Sequence, residues 1–195
     1  MIVNQWWQYW QSRFNSDYCD KIIELAKQLP AVDATIGHGS DKSVTDKSYR
    51  RSQVRWLPRF DGRFFGLFGD MELMFREANK NAFGFDLSLF HEIQFTEYHG
   101  TNEGHYDWHH DTFWTGNKLS RRKLSMVIQL SDPADYDGGR FEVCPRDCDC
   151  PPDANAIVNR GTVIVFPSFL HHRVTPVTRG TRYSLVSWYE GPCFR

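Results

Sequence analysis

The spacing of hydrophobic and polar positions changes about halfway along the chain. In the first half, apolar residues recur at intervals of three and four in residues 16–29 and again from 61 to about 82, which predicts two amphipathic helices. Ser16 is the expected N-cap of the first helix, and Pro30 ends it. Residues 52–57 are a candidate strand between the two helices.

From residue 90 onward the pattern becomes that of short strands separated by Gly, Pro and Asp. Residues 92–98 alternate between apolar and polar, and residues 124–130 form an apolar run of the buried-strand type. Asp135-Tyr-Asp-Gly-Gly139 has the composition of a turn. The remaining candidate strands are residues 140–144, 162–166, 173–177 and 182–189. Helices followed by several short strands predict a mainly β fold, a sandwich or barrel buttressed by the helices.

Length and charge narrow the class of protein. The chain has 195 residues, which fits one domain spanning residues 1–195, and 41% of them are hydrophobic. Its formal net charge is −1, so we expect no binding to nucleic acid or to a membrane surface. The N-terminus lacks the basic start and apolar core of a signal peptide, and no stretch approaches the roughly 20 apolar residues of a membrane span. We therefore expect a cytoplasmic protein.

The number of cysteines gives only weak information about their chemical state. Their number is odd, and in a chain without an export signal this predicts reduced thiols. Three of them lie close together in a Pro- and Asp-rich stretch, where a metal site or a disulfide is the alternative, with Cys193 as a further ligand. The spacing matches no common zinc pattern. The five cysteines are Cys19, Cys144, Cys148, Cys150 and Cys193.

The composition of two other segments predicts whether they pack on the domain or form a loop. The N-terminus is rich in aromatic residues, and we expect them to pack on their own domain, because an exposed apolar patch of that size usually marks an interface. These residues are Trp6, Trp7, Tyr9 and Trp10. Residues 37–49 are polar and rich in Ser, Asp and Lys, which predicts a mobile loop.

Histidines and aspartates suited to binding a metal are concentrated in the second half. Two His-x-Asp triplets occur, His105-Tyr-Asp107 and His109-His-Asp111. Residues i and i+2 of a strand share a face, so either triplet can present both side chains to one metal ion. A second pair of histidines, at 171 and 172, follows about sixty residues later. Two imidazoles and one carboxylate on one side of a site can hold Fe(II) and leave positions open for other ligands.

The combination of these motifs resembles the 2-oxoglutarate and Fe(II)-dependent oxygenase superfamily, and within it the prolyl 4-hydroxylase-like branch. The resemblance covers roughly residues 90–190 and rests on His-x-Asp, then Gly138-Gly139, then Phe166-Pro-Ser before a histidine, then Arg-x-Ser. It implies a double-stranded β-helix (jelly-roll or cupin-like) core in residues 90–195, with helical support from residues 1–89.

The resemblance also selects among the metal ligands. It favours His109, Asp111 and His172, because Tyr106 stands three residues before His109, and Arg182 stands ten residues after His172. His110 is then expected on the opposite face as a packed or exposed histidine. His171 is expected beside the ligands rather than among them.

The same comparison implies a site for 2-oxoglutarate. Arg182 would bind the far carboxylate of the cosubstrate through its planar fork, because an unpaired buried charge is expensive. Ser184, on the same strand face, would add a hydroxyl hydrogen bond. Tyr98 resembles the tyrosine that contacts the cosubstrate in this family, and its alternative role is that of a core aromatic residue at the end of a strand.

The activity implied is hydroxylation of an unactivated C–H bond, with O2 consumed, succinate and CO2 released, and ascorbate as a reductant. A prolyl residue in a peptide or protein is the preferred substrate. The loop at 37–50 and three aromatic residues would then line the peptide groove, namely Trp108, Phe113 and Trp114. The alternatives are a small-molecule hydroxylase, an iron- or oxygen-responsive binding module without turnover, and a cupin-type metal enzyme that uses no 2-oxoglutarate.

Overall fold

The computed structural model describes residues 1–3, 6–37, 43–114, 119–143 and 151–194. The strands are β1 (Ile2–Val3), β2 (Gln8–Trp10), β3 (Val32–Asp33), β4 (Ile36–Gly37), β5 (Ser43–Val44), β6 (Arg50–Arg51), β7 (Gln53–Leu57), β8 (Leu89–His99), β9 (His105–His109), β10 (Ser120–Gln129), β11 (Tyr136–Gly138), β12 (Phe141–Val143), β13 (Val163–Pro167), β14 (His172–Val174) and β15 (Val177–Pro192). The helices are α1 (Ser16–Lys27), α2 (Phe65–Ala78) and α3 (Ala154–Ile157).

Within these described residues, two antiparallel sheets build the body of the fold. The major sheet has the strand order β1-β2-β13-β10-β15-β8-β7-β3, and β11 pairs with the first residues of β15. The second sheet has the order β12-β14-β9-β6, and β4 and β5 form a separate two-stranded ladder. This architecture confirms the predicted mainly β fold with flanking helices.

The major sheet is buried on both faces, which explains why its central strands are so apolar. On β10, Leu124, Met126 and Ile128 pack in the same cluster as the apolar faces of α1 and α2. Val127, on the opposite face of β10, packs in a second cluster with Phe141 and other side chains of the second sheet. The inner face of the major sheet therefore looks towards the second sheet, and the helices cover the outer face.

Both long helices begin away from the predicted positions. The N-cap of α1 is Asn15 and not Ser16, because the Asn15 side chain accepts a hydrogen bond from the Tyr18 amide at 2.8 Å. The second helix begins at Phe65 and not at Asp61. The Asp61 carboxylate accepts the Arg63 amide at 3.0 Å in a local turn, which competes with helical hydrogen bonding. Beyond α2, a π-helical turn (Asn79–Phe83) continues to the predicted end at about residue 82.

Most strands lie close to their predicted positions. Strand β10 begins earlier than predicted, at Ser120 and not at residue 124. The last strand is much longer than predicted, since β15 runs from Val177 to Pro192 and pairs with both β8 and β10. The predicted turn at 135–139 contains a short strand, β11, between a 3-10 turn that ends at Asp135 and a turn in which Gly138 and Gly139 have positive φ. The division into a supporting part (1–89) and a catalytic part (90–195) stays a prediction, and residues 1–89 contribute strands to both sheets as well as helices.

The aromatic N-terminus packs on this chain, as predicted. Strand β2 pairs with β13, and Trp7, Tyr9 and Trp10 are buried in the two apolar clusters. Cys19 is a buried free thiol. The cluster Cys144, Cys148 and Cys150 lies outside the described residues, as do residues 38–42 of the predicted loop, whose flanks form β4 and β5. Of the helices in the described ranges, none combines the length and the apolar character that a bilayer crossing requires.

We expect Gly161→Ala to destabilise the protein by about 2 kcal/mol or more. Gly161 has a φ of +73°, and a Cβ atom there would overlap the backbone oxygen of Phe14. The matched control is Gly69→Ala in the exposed middle of α2, where a Cβ meets nothing within 4 Å. That change should stabilise by about 0.5–1 kcal/mol. Chemical denaturation of both variants measures the difference, and equal effects would contradict the assigned backbone conformations.

Candidate active site

Three side chains with metal-binding atoms converge between the two sheets. His109 ends β9, His172 begins β14, and the two are direct partners in the antiparallel ladder. Asp111 follows His109 by two residues, just beyond the end of the strand. One ligand atom from each of the three lies within 4.8 Å of the others, and among the described residues this is the group found to have such geometry.

The hydrogen bonds of the two imidazoles leave one nitrogen of each available. His109 Nδ1 lies 2.7 Å from the carbonyl oxygen of Asp107, and His172 Nδ1 lies 2.9 Å from that of Leu170. A carbonyl only accepts, so each Nδ1 carries the hydrogen and each Nε2 keeps its lone pair. Burial lowers the pKa of both histidines, and His172 lowers the pKa of His109 further, so both rings are neutral.

Asp111 is fixed by contacts on its backbone and its side chain. The Ser125 hydroxyl donates to Asp111 Oδ2 at 2.6 Å, and the Asp111 amide donates to the Ser168 carbonyl at 2.8 Å. Burial opposes ionisation of Asp111, but the nearby His172, His109 and Arg122 and the Ser125 hydrogen bond keep its pKa below the usual range. The carboxylate is therefore an anion aimed at the two imidazoles, 3.8 Å from His109 Nε2 and 3.4 Å from His172 Nε2.

Aromatic packing holds the imidazoles in these orientations. The Tyr106 ring stacks on His109 with a centroid distance of 3.4 Å, and the Arg50 guanidinium lies 4.4 Å from the Tyr106 ring centre. Phe166 packs edge-on against His172 at 4.8 Å. The site therefore consists of two neutral imidazoles, held by these aromatic rings, and one carboxylate, and all three face a cavity. Such a donor set suits Fe(II) and leaves coordination positions open.

The cavity that the three residues face has a volume of about 950 Å³. Its inner wall comes from three adjacent strands of the major sheet. Tyr98 of β8 pairs with Arg182 of β15, and Ser184 of β15 pairs with Gln129 of β10. The structure thus brings Tyr98, Arg182 and Ser184 to the same cavity as the metal-binding group.

Arg182 is a buried cation. It is 1% exposed, and in the described part of the chain it forms no ion pair with a carboxylate. Its Nη2 donates to Gln129 Oε1 at 2.7 Å, its Nη1 lies 3.5 Å from the Ser184 hydroxyl, and its Nε has no hydrogen-bond partner. The Tyr98 ring lies 5.5 Å away. A buried cation with an unsatisfied donor is costly, so the site suits an anionic ligand.

The structure also places the histidines that the sequence left open. His105 Nδ1 lies 2.8 Å from the Glu103 carbonyl oxygen and its Nε2 lies 3.1 Å from that of Ser48, away from the His109-Asp111-His172 group, and Asp107 is exposed. His110 and His171 lie together with ring centres 5.4 Å apart and line the cavity without joining the triad, so the expectation that His110 would lie on the opposite face is wrong. Of the predicted groove residues, Trp108, Phe113 and Trp114 line the same cavity.

Sequence reasoning missed Arg122, which lines the cavity and lies 3.7 Å from the centre of the Trp188 ring. Regular alternation would put Arg122 on the same face as Leu124, towards the helices. A β-bulge between these two residues turns Arg122 into the cavity and Lys123 out of it. A lone bulge leaves no reliable mark in the hydrophobic pattern. Gln129, which contacts Arg182, was also missed, because it looks like an ordinary polar residue at the end of a strand.

Comparisons with known proteins agree with this geometry. The model of the 2OG-Fe(II) oxygenase superfamily matches residues 93–190, half of the chain. A PKHD-type hydroxylase of Teredinibacter turnerae is 39% identical over 93 residues, which cover 46% of this chain and 39% of the relative. A PKHD-type hydroxylase of Nitrosomonas europaea is 32% identical over 125 residues, which cover 60% of this chain and 53% of the relative. The chain spans about a third to a half of the length of the curated relatives that it matches.

Solved structures show the likeness of fold over nearly the whole chain. A prolyl-4-hydroxylase of Pseudomonas putida superimposes with a TM-score of 0.68 at 19% identity, covering 94% of this chain and 91% of that one. A prolyl hydroxylase of Trichoplax adhaerens, solved with a peptide fragment of the hypoxia inducible factor oxygen degradation domain, gives a TM-score of 0.73 at 15% identity, covering 95% and 84%. The predicted double-stranded β-helix core is therefore confirmed.

We expect Asp111→Asn to weaken the binding of a divalent transition metal by about 100-fold or more, because it removes the only charged donor of the described triad. Asp107→Asn is the matched control, since Asp107 belongs to the other His-x-Asp triplet and is exposed. Titration of metal-free protein with Co(II), followed by visible absorption, gives both affinities. Equal loss in the two variants, or loss only in Asp107→Asn, would contradict the choice of triplet.

Proposed function

Because this chain belongs to the 2OG-Fe(II) oxygenase superfamily, we propose that it is an Fe(II)- and 2-oxoglutarate-dependent oxygenase that hydroxylates an unactivated C–H bond. The observation that carries this proposal is the presence, in one cavity, of a His-Asp-His group and a buried arginine without an anionic partner among the described residues. A site that only binds metal has no need of the second feature.

Each predicted residue has a role in this proposal. His109, Asp111 and His172 would hold Fe(II), and Arg182 would bind the far carboxylate of 2-oxoglutarate through its free donors, with Ser184 beside it. Bound iron would supply the chemistry that couples oxidative decarboxylation of 2-oxoglutarate by O2, to succinate and CO2, with oxidation of the substrate C–H bond. Burial raises the pKa of Tyr98, so its phenol stays protonated and can donate a hydrogen bond to the cosubstrate.

The protein itself would contribute orientation and exclusion of water. The inner sheet face surrounds the cosubstrate end of the cavity with buried side chains, so the charge of Arg182 acts in a medium of low polarity. Neutral imidazoles and an ionised Asp111 require no proton to leave when the metal binds. His109, Asp111 and His172 would leave positions on a bound metal ion open to 2-oxoglutarate and O2.

The preferred substrate is a prolyl residue in a peptide or protein. Indole rings of Trp56 and Trp188 line the outer part of the cavity, and flat apolar walls suit the apolar pyrrolidine ring. Trp108 and Trp114 line the same cavity, and its volume of about 950 Å³ leaves room for the residues on either side of a proline in a peptide. The relatives named PKHD-type hydroxylase and the prolyl hydroxylase neighbours support the same class. A small-molecule substrate is the alternative. The roles of ascorbate as a reductant and of the cytoplasm as the location stay predictions.

We expect anaerobic addition of Fe(II) and 2-oxoglutarate to metal-free protein to give the visible charge-transfer band of the chelate. His172→Ala should abolish the band, because a ligand is lost, and Arg182→Ala should raise the 2-oxoglutarate concentration needed by about tenfold or more. His171→Ala is the control and should keep the band. No band in the wild type would reject the oxygenase proposal and favour a sensing module or a cupin-type enzyme.

We expect synthetic peptides that contain one proline to stimulate succinate formation, with hydroxyproline found by amino-acid analysis of the product. The same peptides with alanine in place of proline should give only the background rate, since they lack the ring that the indole walls would hold. Stimulation by alanine peptides as strong as by proline peptides would reject the prolyl substrate. Stimulation by free small molecules alone would reject a peptide substrate.

A further inference from the structure

The partner of Arg182 on β10 is a neutral amide where a carboxylate would be the ordinary choice. Arg182 and Gln129 are both almost fully buried, at 1% and 4% exposure. Guanidinium has only donors, so the Gln129 atom at 2.7 Å from Nη2 must be the carbonyl oxygen Oε1. Gln129 therefore satisfies one donor of the arginine fork and leaves its positive charge uncompensated.

The backbone of Gln129 is fixed by two hydrogen bonds to the 161–162 segment. Its amide donates to the Thr162 carbonyl at 3.0 Å, and its carbonyl accepts from the Gly161 amide at 2.7 Å. Gln129 is also the cross-strand partner of Ser184, whose hydroxyl lies near Arg182 Nη1. The backbone of Gln129 is thus held between the 161–162 segment and β15, and its Oε1 is held by the hydrogen bond from Arg182.

Gln129 lies behind the arginine and not at the surface of the cavity. Arg182 and Ser184 belong to the described residues that line the cavity, whereas Gln129 does not. Its contact with a ligand would therefore be indirect. The amide accepts from Nη2, Nη1 lies near the Ser184 hydroxyl, and Nε is buried without a hydrogen-bond partner among the described residues.

We propose that Gln129 is a positioning residue that sets the selectivity of the cavity for a 2-oxo acid with a second carboxylate. It orients Arg182 and, because it is neutral, leaves the full positive charge for the far carboxylate of the ligand. This inference rests on the proposed function, since it assumes that 2-oxoglutarate binds at Arg182. An acidic residue at 129 would accept the same hydrogen bond and cancel the charge that the ligand needs.

The test is Gln129→Glu, which preserves shape and hydrogen bonding but adds one negative charge. Anaerobic titration of the Fe(II) protein would compare 2-oxoglutarate with 2-oxovalerate, which has the same chain length but no far carboxylate. We expect Gln129→Glu to weaken 2-oxoglutarate binding by about tenfold or more and to leave 2-oxovalerate binding unchanged. In the absence of metal and ligand, its melting temperature should rise, because Arg182 gains a buried ionic partner.

Two further variants separate positioning from general effects. Gln129→Met removes the acceptor without adding charge and should weaken 2-oxoglutarate binding by a smaller factor while lowering the melting temperature. Gln94→Glu makes the same chemical change on β8, four residues from the partner of Arg182 and so about 13 Å along the strand. It should weaken 2-oxoglutarate binding less than Gln129→Glu does.

The outcomes distinguish this inference from the proposed function. If wild type forms the chelate and Arg182→Ala weakens it, but Gln129→Glu binds 2-oxoglutarate like wild type, only the inference is overturned. Equal losses for both 2-oxo acids in Gln129→Glu, or an equal loss in Gln94→Glu, also overturn it, because they indicate general disruption. Failure of the wild type to bind 2-oxoglutarate would reject the proposed function itself and the inference with it.

Discussion

The register between β9 and β14 is the constraint on which the site depends. His109 and His172 are far apart in sequence but become direct partners in this ladder, which brings both imidazoles to one side of the second sheet. A slip by one residue would turn His172 away and present Arg173 or His171 in its place. On its other edge, β14 pairs with β12, where His172 is the partner of Val143 and Val174 is the partner of Phe141. Because Val143 and Phe141 are buried in the apolar core between the sheets, a change of this register would also disturb the core.

Charge balance adds a second condition to this geometry. Asp111 is buried, yet it is surrounded by groups that favour its ionised form, including the hydroxyl of Ser125. Arg182 is buried as deeply but has a neutral amide and a hydroxyl as neighbours. Within the described residues, the fold therefore compensates the Asp111 carboxylate internally and leaves the Arg182 cation to a ligand. Burying the Arg182 cation beside neutral groups costs free energy when no ligand is bound. This cost is a physical reason to regard Arg182 as part of a binding site.

The sequence predicted what depends on periodicity and motif, and missed what depends on irregular backbone. The strands around 92–98 and 124–130 were found because their apolar pattern reflects burial on a sheet. Local hydrogen bonds decide where helices begin, so the competing turn at Asp61 could not be inferred from apolar spacing. The predicted strand began at residue 124, after Arg122, and its apolar run gave no sign of the bulge that turns Arg122 into the cavity, because a bulge adds one residue without changing composition.

The two ends of the cavity differ in the kind of backbone that carries their side chains. The end at Arg182 is built on the regular ladders of β8, β15 and β10, where hydrogen bonds fix each side chain relative to its neighbours. The other end is built on the bulge at Arg122 and on the segment after Asp111 that bears Phe113 and Trp114. Asp111 adjoins the same segment, and Arg122 helps to keep the pKa of Asp111 low, so changes of this irregular backbone would also act on the His-Asp-His group. The Arg182 end, which rests on ladder hydrogen bonds, is the part of the cavity that such changes would disturb least.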